Sequence, residues 1–138
     1  MSRYKVVHWQ ESPDFYKDTD VPGEFRRLSD LLGTEQLSIS FIKVPAHSDF
    51  QQSTGHSHEE IEELYIIAKG TLSMRFDDDI VKVPAGSAVR VSPTTVRSHR
   101  NEGDEDVEMW AISKKIGRRD AKKVDNFWEP SESAKQTK

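Results

Sequence analysis

Six short apolar runs, each closed by turn chemistry, follow one another between residues 63 and 113. They occupy residues 63–68, 71–76, 80–83, 88–91, 96–101 and 107–113. The breaks between them read Lys69-Gly70, Asp77-Asp78-Asp79, Pro84-Ala85-Gly86, Pro93 and the stretch from Asn101 to Glu105. Gly, Pro, Asn and Asp punctuate a chain because they supply the backbone angles that turns need. Runs this short cannot make stable helices, and regular spacing of this kind implies an all-β sandwich or barrel. The segment QLSISFIKV (residues 36–44) adds a strand with Leu37, Ile39 and Phe41 on one face. Helix signals are few. A short run at residues 4–8 reads as a further strand. Residues 11–33 read as loop, with a short helical turn around residues 25–32.

At 138 residues the chain is expected to form one domain. Apolar residues make up 34% and charged residues 32%, so the core is lean. We divide the chain into an N-terminal strand-and-loop arm (1–35), a β-barrel (36–113) and a charged C-terminal tail (114–138). Phe127 and Trp128 are expected to dock back on the barrel or to pack on a second subunit. The final PSESAKQTK reads as tail. There is no cysteine, which excludes disulfides and thiolate chemistry. No apolar run approaches the length of a membrane span, and no signal-peptide pattern opens the chain. A cytoplasmic protein without a membrane partner is the expectation. The net charge is −4 overall, yet residues 114–138 carry eight basic and four acidic side chains. The remaining body is therefore at −8, which argues against nucleic acid as a partner.

The chemistry concentrates in GHSHEEIEELYIIAKG, residues 55–70. His56 and His58 are two apart, so in an extended segment both rings point to one face. Glu63 opens the apolar run LYIIA, where a carboxylate is costly unless compensated. A divalent metal is one compensation, and two imidazoles with one carboxylate suit iron, manganese, zinc or nickel. The same acidic stretch, read alone, also suits a solvated loop. Tyr65 and Ile67 share the face of Glu63, and the Tyr65 hydroxyl is a candidate ligand contact. Leu72, Met74, Phe76, Val107, Met109 and Ala111 read as core. His8 and His47 read as surface or loop.

Taken together, these residues resemble the cupin superfamily, in its small single-domain form. His56, His58, Glu63 and Gly70 fall in register with the first family motif, although Phe50 stands where the family usually has glycine. Fifteen residues, 71–85, separate the two motifs, as in short microbial cupins. Gly86 and Asn101 match the ends of the second motif, but its Pro, Gly and His positions hold Ser92, Thr94 and Arg97. The resemblance implies a double-stranded β-helix, a jelly-roll-like barrel with little helix, and a homodimer. It also implies a divalent-metal site on His56, His58 and Glu63, with a metal-dependent dioxygenase or isomerase activity on a small acidic or carbonyl-containing molecule.

Arg97 stands where metal-binding cupins carry their fourth ligand. A guanidinium stays protonated and cannot ligate a cation. Three outcomes are open. The metal sits on three ligands; His99, on the same strand face, replaces the fourth; or the metal is lost and Arg97 pairs with Glu63 or grips an anionic ligand. The last outcome would leave a non-catalytic small-molecule-binding barrel.

Overall fold

The computed structural model describes residues 3–128. In chain order these form β1 (Glu24–Arg27), α1 (Leu28–Leu32), β2 (Leu37–Val44), β3 (Gly55–His58), β4 (Glu63–Lys69) and β5 (Thr71–Phe76). There follow β6 (Asp79–Pro84), β7 (Ala88–Val91), β8 (Arg97–Arg100), β9 (Val107–Lys114) and β10 (Ala121–Val124). The strands make two five-stranded sheets, ordered β1-β2-β9-β4-β7 and β10-β3-β8-β5-β6. Every strand pairing is antiparallel. The strands facing each other across the two sheets enclose an apolar core that includes Val44, Ile67, Leu72, Met74, Val107 and Met109. This is a double-stranded β-helix. No helix among the described residues is long and apolar enough to cross a membrane.

Alternation along β2 has a consequence for the interior. Leu37, Ile39 and Phe41 do share a face, but it is the outer one. Phe41 stacks on Trp9 at 4.2 Å between ring centroids and meets Trp110 edge-on at 5.1 Å. The inner face of β2 carries Ser38, Ser40 and Ile42, which line a cavity, and then Val44 in the closed core. One end of the barrel is therefore packed and the other is hollow.

Several segments differ from the sequence expectation. Residues 4–8 form no strand; their apolar side chains Tyr4 and Val6 stay exposed, and a 3-10 turn at Trp9–Glu11 follows. The polar stretch 11–33 contains β1, which pairs with β2 where no strand was expected; the helical turn expected at residues 25–32 is α1, which Gly33 ends in the left-handed conformation at φ 68°. Ser29 anchors α1 to β2: its hydroxyl accepts from the Ile39 N–H at 2.7 Å and donates to the Ile39 carbonyl at 3.2 Å. The charged tail contains β10, an edge strand paired with β3. Its residues are mostly exposed, so no hydrophobic alternation announces it. Phe127 and Trp128 dock on the barrel. Arg75 lies over Phe127 and Arg100 over Trp128, each at 4.5 Å, and the Trp128 indole donates to Ser98 Oγ at 2.7 Å. The stretch PSESAKQTK lies outside the described residues.

Asn101, the one polar match at the end of the second motif, is structural. Its amide donates to the carbonyls of Val44 and Glu105, and its Oδ1 accepts from the Gly103 N–H. Thr94 stands where that motif would have glycine, yet it adopts φ 70°. A β-branched residue in the left-handed region is strained by about 1–2 kcal/mol. The turn is held there by the Thr94 N–H, which donates to the His58 carbonyl at 2.7 Å.

Candidate metal centre

Strand β3 runs between β10 and β8, with His56 opposite Arg97 and His58 opposite Ala121. Strand β4 lies in the other sheet and begins at Glu63, opposite Ser113. Facing one another across the barrel, these strands bring three side chains together. The Nε2 atoms of His56 and His58 are each 3.5 Å from Glu63 Oε1. The two rings stand nearly perpendicular, at 88°. One ligand atom from each of the three residues lies within 4.8 Å of the others, so the group could hold a metal ion.

The donor set fits such an ion. Two ligand atoms about 2.1 Å from a common cation, at a tetrahedral angle, stand about 3.4 Å apart, close to the spacing seen. His58 gives the stronger argument. Its Nδ1 meets Asp120 Oδ1 at 2.7 Å, while its Nε2 is buried without a hydrogen-bond partner. Asp120 is an ionised carboxylate: burial raises its pKa, but hydrogen bonds from the Glu60 N–H, His58 and the Ile61 N–H outweigh this and bring it to about 2. It therefore accepts the Nδ1 proton of His58 and leaves a lone pair on Nε2, aimed at the centre. Carboxylate–histidine pairs of this kind orient metal ligands.

Glu63 is the hub. The Tyr65 hydroxyl donates to Oε1 at 2.6 Å, and Arg97 Nε lies 3.3 Å from the same oxygen. Burial raises the Glu63 carboxyl, yet the close approach of His56 and His58 and the hydrogen bond from Tyr65 hold it well below the usual carboxylate range. Tyr65 is pushed up, first by burial and then by the Glu63 charge, so its hydroxyl keeps its proton. The nearby Glu63 carboxylate, 3.5 Å from Nε2, raises the His58 pKa despite its burial. Proton and metal thus compete for the same Nε2, and the metal affinity of the site weakens as pH falls.

Arg97 is 1% exposed. Its Nη1 donates to the Thr95 carbonyl at 2.8 Å, while Nε and Nη2 make no aligned hydrogen bond. It lies behind Glu63 as an ion-pair partner and is absent from the cavity lining. Of the three outcomes open in the sequence, the Arg97–Glu63 pair is present; a grip by Arg97 on a ligand in the cavity is not what its position offers. His99 lines the cavity but stands outside the three-residue group. It stacks on Phe50 at 5.8 Å, and burial, with the nearby His56 charge, lowers its pKa to about 4. His47 is at the surface beside Asp104, and His8 caps the 3-10 turn.

The cavity encloses about 620 Å³. Its lining takes in Tyr16, Phe25, Ile42 and Phe50, the metal group, Tyr65 and His99, and the exposed side chains of Arg27, Lys114, Lys115, Arg118 and Arg119 form its mouth.

Asp120 escaped the sequence reading. It is a lone acid within the basic run KKIGRRDAKK, and nothing local marks it. Besides holding His58, its Oδ2 accepts from the N–H groups of Glu60 and Ile61 at 2.9 and 3.1 Å. It thus pins both the ligand ring and the loop leading to Glu63. Asp120→Asn is expected to lower metal affinity 10- to 100-fold, measured by competition with a chromogenic chelator. An unchanged affinity would mean that the ring needs no such support.

A family model described as a cupin domain matches residues 43–113. No curated protein sequence shows significant similarity. Among solved structures, the polyketide cyclase RemF from Streptomyces resistomycificus superposes with a TM-score of 0.71 at 15% identity, covering 89% of each chain. A predicted oxalate decarboxylase from Thermotoga maritima gives 0.66 at 21% identity, over 81% of this chain and all of the other. A cupin protein from Bacteroides fragilis gives 0.65 at 22%, over 87% and 91%. Identities this low speak for a common fold.

Proposed function

The chain belongs to the cupin family, and from that premise we propose that it is a metal-dependent enzyme acting on a small acidic or carbonyl-containing molecule, as a dioxygenase or an isomerase. His56, His58 and Glu63 would hold a divalent cation of iron, manganese, zinc or nickel. The observation that carries this reading is the buried, unpartnered Nε2 of His58, with Nδ1 tied to Asp120. A buried polar atom left without a partner needs an explanation, and a metal supplies it.

When bound, the cation supplies Lewis-acid polarisation of a carbonyl or, in the case of iron, oxygen activation. The chain's own residues do the rest. Asp120 fixes the tautomer and direction of His58. The Tyr65 hydroxyl occupies part of Glu63 Oε1 and holds the carboxylate in place. Arg97 already balances the single carboxylate of the site. A dication there would keep most of its charge, which favours an anionic ligand. Fold neighbours named as a predicted oxalate decarboxylase and as a polyketide cyclase agree with a catalytic use of this barrel.

A second reading rests on the 3.3 Å contact between Arg97 and Glu63. Arg97 could serve as the permanent counter-charge of Glu63, leaving a small-molecule-binding barrel without metal. Elemental analysis separates the two. The enzyme reading expects near-stoichiometric divalent metal in protein purified from metal-supplemented medium. Metal-free protein, with metal uptake restored by Arg97→His, would establish the second.

A further inference from the structure

One buried polar group in the cavity has no use in the metal centre. His99 is 4% exposed and is held between Phe50 and the barrel interior. Its Nδ1 is buried without a partner, and its Nε2 makes no hydrogen bond among the described residues either. A neutral imidazole carries one donor and one acceptor. A ring nitrogen left buried and unmet inside a barrel, as Nδ1 is, is rare unless a ligand or water meets it. His99 lies two residues along β8 from Arg97, opposite Met74. The metal group does not include it.

A second observation concerns charge at the exposed mouth of the same cavity. Three of the five mouth cations are engaged: Arg27 lies over the Phe15 ring, Lys115 donates to the Thr34 carbonyl, and Arg118 pairs with Glu59 and Glu60. Lys114 and Arg119 have no carboxylate partner among the described residues. The acids lining the cavity are Glu63, which pairs with Arg97, and Asp120, which is held by His58 and two backbone N–H groups. The mouth therefore presents uncompensated positive charge above an aromatic interior, a field that concentrates anions.

We infer that the cavity binds an aromatic organic acid, with its carboxylate at Lys114 and Arg119, its ring among Tyr16, Phe25 and Phe50, and a polar substituent hydrogen-bonded to His99. His99 is then a ligand-contacting residue and stays outside the metal's coordination. This extends the reading of the site as a metal centre, and it rests on that reading only where it denies His99 the role of a ligand to the ion.

The test uses the full chain loaded with zinc, with zinc content measured on every sample. The probes are 4-hydroxybenzoate, 4-hydroxyphenylacetate and 3-(4-hydroxyphenyl)propionate, which differ in the distance between hydroxyl and carboxylate. Each is compared by calorimetry with its analogue lacking the hydroxyl and with its neutral amide. At least one acid is expected to bind with a submillimolar Kd. Loss of its hydroxyl should weaken binding fivefold or more in the unaltered protein, and not at all in His99→Leu. A Lys114→Ala, Arg119→Ala double variant should weaken the acid about tenfold and leave the amide unchanged. His99→Leu should keep its zinc. Binding of none of the three acids, an amide that binds as well as its acid, or loss of zinc in His99→Leu would overturn the inference. A protein that takes up no zinc would sink the metal reading instead, while the ligand comparisons remain readable. If His99→Leu does not fold, the hydroxyl and amide comparisons on the unaltered protein decide the matter, and no loss in either overturns the inference.

Discussion

Glu63→Gln should destabilise the protein by about 3–5 kcal/mol and abolish retention of divalent metal. The stability loss does not come from Glu63 alone. Arg97 is 1% exposed and, among the described residues, has one carboxylate within reach, at 3.3 Å. Removing that charge strands a guanidinium that cannot shed its proton, and breaking a buried pair from one side costs about this much. Replacing both partners should cost far less, because well-packed apolar or neutral groups can substitute for a buried ion pair. Glu63→Gln combined with Arg97→Met is therefore expected to recover much of the stability and none of the metal. Urea unfolding of the parent, both single variants and the double variant closes the cycle. If the single Glu63 variant unfolds at the parent's urea midpoint, Arg97 has another counter-charge and the hub description fails.

The second large effect is on acid stability. Burial and the neighbouring His56 charge bring the His99 pKa down to about 4, against an ordinary value of 6.5; Asp49 and Glu63 oppose this. Between those values the unfolded chain binds a proton on this residue that the folded chain refuses. Stability contributed by neutral His99 is thus complete above pH 6.5 and is lost progressively as pH falls toward 4, by about 3 kcal/mol in total. His58 acts in the opposite sense. Its pKa is raised by Glu63, so its contribution is present at low pH and is lost as pH rises through the folded value. Glu63 and Asp120, both lowered, weaken the fold only as pH drops below the ordinary carboxylate range. Comparing metal-free parent with His99→Leu across pH 4 to 7 subtracts these common terms. The variant should show a shallower loss of stability toward pH 4. Parallel curves for the two proteins would show that His99 is solvated or paired in the folded state.

How much of this was legible in the sequence varies by element. Strands β2, β4, β5, β6, β7 and β9 were readable because half-buried strands alternate and their turns carry Gly, Pro or Asp. Strand β8 was placed one residue too long at each end. Strands β1, β3 and β10 were missed as strands, or seen only as an extended histidine segment. β1 and β10 sit at sheet edges, and edge strands can be polar without penalty. The metal group was legible because two of its members are neighbours in the chain and the third opens an apolar run.

The outer location of Leu37, Ile39 and Phe41 was not legible. Period-two patterning reports which residues share a face. Which face turns inward depends on what covers the other, and here Trp9 and Trp110 cover the outside.

From residues alone it follows that this chain makes a β-rich barrel with two imidazoles on one side of a strand. Periodicities of two residues and turn propensities are local, and local sterics decide them. Only the tertiary structure decided that Asp120, 62 positions from His58, orients that ring; that Arg97 turns to Glu63 and leaves the cavity; and that His99 stands unpartnered beside Phe50. Those outcomes depend on which distant strands pair and in what register, and no short stretch of sequence carries that information.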